Sequence, residues 1–385
     1  MTRSRFLDLH VLHPVTAANL NRDESQEPKT LHLGGAIRSM VSPQAWKRPV
    51  RLDIEEERGE HAARTRMLPL VIAQRLRGEG WSDDLADFAA AQITRSAKPA
   101  GLKTNPSQGH RTQAMLYLPT DAADHLLALC RTHRPQLEQA LADQTASGKP
   151  APAMLPTADI AAQLTRRTAT INLFGRMLAE LPSGHVEGAV QMAPAFTVHP
   201  ADLQPDFFTS VEDWPKSGDS GSAHLQTAFL TAGVFYRFAT VNITELINNL
   251  GGDTTTALEL TEQFTSSFIM TMPKGKKTST APHTIPDLVH YAVRDRRPIS
   301  YGAAFEQPVK PQPQGGYTTP ARTTLADYAA TIDRLVGTRR RIAHGHADTT
   351  GTPTEHLGTY HHSYDDLAAT CATAAVTGPT TGAGQ

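Results

Sequence analysis

The chain has 385 residues, a net charge of −1, and 39% hydrophobic against 19% charged residues. Such a composition excludes a disordered chain and suits one elaborate domain or two to three simple ones. A chain this close to neutral offers no global field to a polyanion, so any nucleic-acid site must concentrate its charge locally.

The two cysteines, Cys130 and Cys371, are far apart and form no CxxC, which excludes a disulfide framework and a Cys-based zinc site. No run of about 18 apolar residues is present, so no membrane partner is expected. MTRSRFLDLHVLHP lacks the apolar core and cleavage site of a signal peptide, and the cytoplasm is the expected location.

In chain order, RFLDLHVLH (5–13) sets Leu7, Leu9 and Val11 on one face at period two and predicts a first strand. Residues 14–51 read as loop, with Pro14, Pro28, Gly34-Gly35 and Pro43. A short helix over 45–58 is limited by Pro49. The texture then turns to Ala, Leu, Arg and Gln, which predicts helices near 61–77, 83–95, 121–132, 135–146 and 158–170, with a Pro-rich linker at 148–156. Residues 185–199 read as extended. Residues 200–224 form a Pro/Gly/Ser-rich projection with no periodic core face. A strand is predicted over 227–243, then a short helix capped by Thr244, an amphipathic helix over 254–271 through Ala257, Leu260, Phe264 and Phe268, and a final helix over 323–336. The fold class is α+β, with a helical block inserted after the first strand and an irregular projection before a central one.

Three candidate chemistries fail. KGKKTST (274–280) departs twice from G-x-x-x-x-G-K-[ST], having Met270 for the first Gly and Lys277 for the Ser/Thr. His344, His346, His356, His361 and His362, among seventeen histidines, lack ligand spacing and read as a polar surface segment, so no metal is expected; His185, His199 and His224 read as solvated loop residues. GDSGS (218–222) lacks the context of a nucleophile. No cofactor and no catalytic residue is expected.

The stretch from 21 to 51 differs. Lys29, Arg38, Lys47, Arg48 and Arg51 occur from 29 to 51 with no Asp or Glu among them. Phosphodiester backbones are held by Arg and Lys, by Ser, Asn and Gln, and by bare backbone N–H groups. Asn21, Arg22, Ser42 and Gln44 supply such side chains, and Gly34-Gly35 permits close approach to a ligand.

NLNRDE, PKT and GGAIRSMVSPQAWKR resemble the N-terminal signature of the CasC family, the backbone ("Cas-seven") subunit of the type I-E CRISPR Cascade complex. The resemblance returns at INLFGRM (171–177), VEGAVQMAPAFTVH (186–199) and DFFTSVED (206–213), and is strongest over 221–252. It is loose over 60–165 and after 300. Met40 and Pro43 depart from the family, which often has a further cation and a second Ser there.

The resemblance implies an RRM-like (ferredoxin-like) palm over 1–59, 171–197 and 225–372, with helical fingers over 60–170, a protruding thumb loop over 198–224 and a disordered tail over 373–385. It implies guide RNA (crRNA) as ligand, head-to-tail copies of the chain as neighbours, target DNA reached through the guide, and the large, small, guide-processing and 5′-end Cascade subunits as partners. Cleavage is not expected. Carried over by position, Asn21, Arg22, Lys29, Arg38, Ser42, Gln44, Lys47, Arg48, Arg51 and, more weakly, Lys276 would hold the RNA backbone. Met177, Phe207 and Phe208 would wedge a base out of the stack. The alternatives are an RNA-cleaving CRISPR backbone subunit, which would need a loop acid, Asp23 and Asp53 being nearest, and a lone single-strand RNA-binding protein, which would neither multimerise on the guide nor need partner subunits.

A grip on about four phosphates predicts a slope of about −3 for log K against log salt concentration. RNA binding titrated between low and physiological salt checks this, and a slope near zero would contradict a backbone grip.

Overall fold

The computed structural model describes residues 4–98, 101–108, 110–178, 180–211 and 222–378, with the side chains of 106, 210, 211 and 222–225 left aside. Most of the GDSGS segment and the thumb tip lie outside these. The chain divides into two compact units, residues 1–54 with 189–385, and residues 55–188.

The first unit is built on a ten-stranded sheet. β1 (Phe6–Ala18) is followed by a hairpin of β2 (Thr30–Leu33) and β3 (Ala36–Val41), and by α1 (Pro43–Arg58). The hairpin was read as loop because it is short and half-exposed. Gly34 and Gly35 form its two-residue turn with φ of 59° and 76°, the left-handed pair that such a turn requires. A Cβ on Gly34 would collide with the Glu306 carbonyl. The close approach is therefore to the chain's own backbone, not to a ligand.

The second unit holds β4 (Ala62–Thr65), α2 (Leu68–Gly78), α3 (Asp83–Ser96), β5 (Thr104–Asn105), β6 (Arg111–Thr112), β7 (Leu116–Pro119), α4 (Ala122–Thr132), α5 (Arg134–Ser147), α6 (Thr157–Thr165) and α7 (Ala169–Phe174). Leu76, Ala86, Leu126, Leu137 and Ile160 are among its core residues. The helix expected from 61 begins at 68, because 62–65 pairs with 116–119 instead. Residues 171–188, expected in the palm, belong to this unit. The buried Arg176 explains why: its guanidinium donates to the carbonyls of Thr165, Arg166 and Gly184 at 2.6–2.8 Å and of Tyr117 at 3.2 Å.

The first unit resumes with β8 (Val190–Met192), β9 (Ala195–Thr197), β10 (Leu203–Val211) and β11 (Ser222–Asn242). There follow α8 (Ile243–Asn249), α9 (Thr254–Met270), α10 (Lys277–Thr280), β12 (Leu288–Arg294), α11 (Thr318–Val336), β13 (Arg341–Asp348), β14 (Thr359–Tyr360) and α12 (Tyr364–Thr377). Asn242, not Thr244, caps α8; its side chain accepts from Glu245 N. The Thr244 hydroxyl accepts from Arg5 N instead. The last helix runs into the segment read as a tail, and residues 379–385 lie outside the described ones.

The sheet order is β14-β13-β12-β1-β11-β9-β3-β2, with β8 and β10 also on β11. β1 is central, antiparallel to β11 and β12. Helices α8, α10, α11 and α12 pack near it, and α9 packs on α8 and α12. Both faces of β1 are buried, so Asp8 and His10 lie as deep as Leu7 and Leu9. Asp8 meets Arg294 at 3.2 Å and accepts from Ile299 N. His10 stacks on Tyr301 at 3.9 Å and hydrogen-bonds Tyr236.

The surface reading of the histidines is corrected in part, since His185, His356 and His362 are exposed as expected. His346 and His361 are buried, as is His199, which stacks on Tyr317 and accepts from Val234 N. Their positions on or beside strands next to aromatics give them packing partners that a loop reading hides.

Arg237 on β11 is buried and lies over the Trp46 ring of α1 at 3.8 Å and the Phe268 ring of α9 at 4.5 Å. It donates to the Phe268 carbonyl and meets His13 Nδ1 at 3.0 Å. Burial pulls Arg237 down to about 9, still protonated at neutral pH. Both cysteines are buried and free. Among the described residues no helix is long and apolar enough to cross a membrane.

Burial, then the Arg237 cation, hold His13 down to about 3, and burial first holds His10 and His290 well below the ordinary value. Each binds its proton more weakly folded than unfolded, so its contribution is complete above about pH 6.5 and is lost as pH falls. Asp8, which burial pushes up to about 6, and Asp287, which burial also raises, oppose them. The thermal midpoint is expected to drop between pH 7.5 and pH 5, each histidine costing up to about 2 kcal/mol at pH 5. Unfolding followed by circular dichroism tests this, and a midpoint rising toward pH 5 would contradict a neutral histidine core.

Candidate nucleic-acid interface

Helix α1 carries Pro49 in its interior and still runs for 16 residues. Trp46, Val50 and Ile54, spaced by four, are buried along one face, and that packing offsets the hydrogen bond Pro49 cannot make. Pro43 opens the helix, a position where a missing N–H costs nothing. Gln44, Lys47, Arg48 and Arg51 follow at i, i+3, i+4 and i+7 and share a second face.

The charge order along α1 runs against its dipole. No acid lies in the first turn, and Lys47 and Arg48 follow it closely. Asp53, Glu55, Glu56 and Glu57 crowd the other end, where Arg58 is the basic residue. Cations at a helix N-terminus and acids at its C-terminus are each unfavourable by about 0.3–1 kcal/mol. The arrangement does suit an anion near the N-terminus, where the dipole adds to the side-chain charge.

The segment before the helix is tied to it. Asn21 Oδ1 accepts from Ser42 N at 2.9 Å and from the Ser42 hydroxyl at 2.7 Å. Lys29 pairs backbone to backbone with Asn21 and with Met40. Arg22 is exposed and donates to Gln26 Oε1. The turn between them is closed by Asp23, whose Oδ1 accepts from Ser25 N and Glu27 N. Asp53 accepts from the Ser267 hydroxyl.

A third segment joins them. A Cβ on Gly275 would lie 2.5 Å from the Leu20 carbonyl oxygen and 2.6 Å from that of Asn19, so KGKK packs directly on the chain before Asn21. Lys276 takes the left-handed region (φ 48°), and its ammonium sits 5.5 Å from the Phe208 ring centroid. Asn19 Nδ2 donates to Gln26 O and Phe229 O, tying the same segment to β11. The structure thus gathers Asn21, Arg22, Lys29, Ser42, the first turns of α1, Lys276 and Phe208 in one neighbourhood.

Arg38 does not join the grip. It is fully buried and donates to the carbonyls of Thr197, Phe305 and Glu306 at 2.8–3.1 Å. Its role is to hold β3 against β9 and the 305–306 segment; a phosphate has no access to it.

The projection is a hairpin, not an irregular loop. β10 pairs antiparallel with the outer half of β11, from Leu203↔Thr231 to Ser210↔His224, with a shift before Val211↔Ser222. Few of its side chains are buried, which is why no core periodicity marks it. Phe207 and Phe208 are 65% and 38% exposed, and as successive strand residues they point to opposite faces. Neither belongs to a small core under the thumb. Met177, in the helical unit, is 80% exposed.

Among the described residues no group of three or more His, Cys, Asp or Glu could hold a metal. Sequence reading missed the hydrogen bond from Ser42 to Asn21 and the seat of Gly275. The first had no local signal, since its partners stand 21 residues apart. The second had none, because the contact joins residues some 250 apart in sequence.

The model of the CT1975-like protein family matches residues 7–370. Among solved structures, the chain is similar to a chain of "CRISPR RNA-guided surveillance complex, pre-nicking", at 41% identity and a TM-score of 0.88, covering 96% of this chain and all of that one. It is also similar to a chain of "CRISPR RNA-guided surveillance complex", at 36% identity and a TM-score of 0.78, with the same coverage. No curated protein matched the sequence.

The reversed charge order of α1 makes a prediction of opposite signs. Arg48→Gln should stabilise the ligand-free chain by about 0.5 kcal/mol, while weakening its binding to a single-stranded RNA. Thermal unfolding and a salt titration of RNA binding, run on the same preparation, check both; loss of stability together with unchanged binding would contradict the anion site.

Proposed function

Since the chain belongs to the CT1975-like protein family, we propose that it is the guide-RNA-binding backbone subunit of a type I-E CRISPR surveillance complex, Cascade. The observation that carries this reading is α1, a helix whose charges oppose its own dipole and favour an anion at its N-terminus. The likeness to chains of CRISPR RNA-guided surveillance complexes supports RNA as that anion. A ferredoxin-like palm agrees with a central β1 that is antiparallel to both neighbours.

In this reading copies of the chain stack head to tail along one crRNA. Asn21, Arg22, Lys29, Ser42, Gln44, Lys47, Arg48, Arg51 and Lys276 hold its backbone without reading sequence, which is left to base pairing between guide and target DNA. Phe207 or Phe208 at the hairpin, with Met177, holds one base out of the stack at each repeat, at about a few kcal/mol per step. The large, small, guide-processing and 5′-end subunits complete the particle in the cytoplasm.

The chain is proposed to bind and not to cut. Asp23 is engaged in closing a turn and Asp53 in a bond to Ser267, so each accepts hydrogen bonds that hold the fold.

The test is to co-express the chain with its repeat-spacer array and neighbouring subunits, isolate it and sequence the RNA it carries. One guide-length RNA protected at regular intervals is expected; heterogeneous RNA or none would remove the reading. Labelled complementary RNA with a divalent metal should stay intact, and periodic cuts lost in Asp23→Ala or Asp53→Ala would turn the assignment to an RNA-cleaving subunit.

A further inference from the structure

A second concentration of cations lies at the opposite end of the sheet. β12 leaves the sheet at Arg294, which faces Arg341 of β13, so RDRR (294–297) and TRRR (338–341) lie side by side. The local acids are already engaged. Arg340 meets Asp295 at 3.0 Å, Arg341 holds Asp333, and Arg294 meets Asp8. Arg296, Arg297, Arg334 and Arg339 remain, all exposed. None of these four has an acidic partner among the described residues. Leu335 and Val336 stand exposed among them.

This place is distinct from the α1 interface. Arg294 is in register with Phe6, where β1 begins, while Leu20 and Asn21 follow its far end at Ala18. A strand of 13 residues separates the two ends by about 40 Å.

We propose that this patch is a second nucleic-acid surface, one that takes the phosphodiester backbone of a duplex DNA. Guanidinium forks match phosphate oxygens two at a time, and stay charged at any working pH. Surfaces built for unpaired strands add aromatic rings for base stacking, and none lies within 295–298 or 334–341. On a chain of net charge −1, four arginines without an acidic partner among the described residues, beside the ends of β12 and β13, form a local field that a polyanion rewards. The inference goes beyond the guide-binding reading and relies on it only for the assembly in which it is tested.

The experiment uses the assembled complex with the RNA it carries. Arg296, Arg297, Arg334 and Arg339 are changed together to Gln, and in a second variant to Lys. RNA content, subunit composition and affinity for a non-complementary duplex DNA are measured across a salt series. The Gln variant is expected to bind duplex about tenfold more weakly, with a salt slope shallower by about 2 for two lost phosphates. The Lys variant should keep most of the affinity, and RNA content should be unchanged in both. Unchanged affinity and slope would overturn the proposal. So would loss of a partner subunit with duplex affinity intact, which would assign the patch to an acidic protein surface. If the fourfold variant does not assemble, Arg296→Gln with Arg297→Gln, on a loop outside the helices and strands, is read in the same way. Absence of guide RNA from the unaltered complex would count against the guide-binding reading alone, since the duplex arm is scored separately.

Discussion

The first unit depends on one cation. Arg237 has no carboxylate partner among the described residues; it is held by two aromatic faces, one carbonyl and one imidazole nitrogen. Those four contacts come from α1, α9 and β1, so a single guanidinium on β11 fixes two helices and two strands to one another. A buried cation costs stability unless its neighbours replace water, and ring faces do so without adding a negative charge. His13 must therefore remain neutral, since its protonation would set two cations face to face. The share of His13 in the acid sensitivity and the seat of α1 have one origin.

Through Trp46 that origin reaches the proposed nucleic-acid interface. With its buried face clamped, α1 can carry a charge order that an isolated helix would reject. The stabilisation comes from packing, and the side chains facing outward are left to serve the ligand. The same division recurs in the arginines. Arg38, Arg176 and Arg237 are spent inside the fold on carbonyls and rings, while Arg22 and Arg48 lie outside. Residue type alone does not separate the two groups, and their different burial does.

This limits what the sequence can convey. β1 and α9 were legible because apolar spacing dominates them. The cationic stretch was legible because it lacks acids. Arg38 was misread for the same reason, since its partners are backbone carbonyls that have no sequence signature. The β2–β3 hairpin and β10 were hidden because neither has a fully buried face for periodicity to report. Pro49 pointed to a short helix, and the tertiary contact of Trp46 overrode it. The residues that carry the family resemblance include both kinds, and only burial and hydrogen bonding separate the side chains that build this stretch from those that face out of it.

β11 is one unbroken strand of 21 residues, its inner half in the sheet with β1 and its outer half in the hairpin with β10. Phase is therefore transmitted from core to tip. A strand alternates faces with every residue, so one residue inserted in the outer half would exchange the sides to which Phe207 and Phe208 point relative to the sheet. Two residues would restore the sides and move the rings about 7 Å farther out. The reach of this projection can accordingly drift among related chains only in paired steps, and odd changes in length would need a compensating bulge.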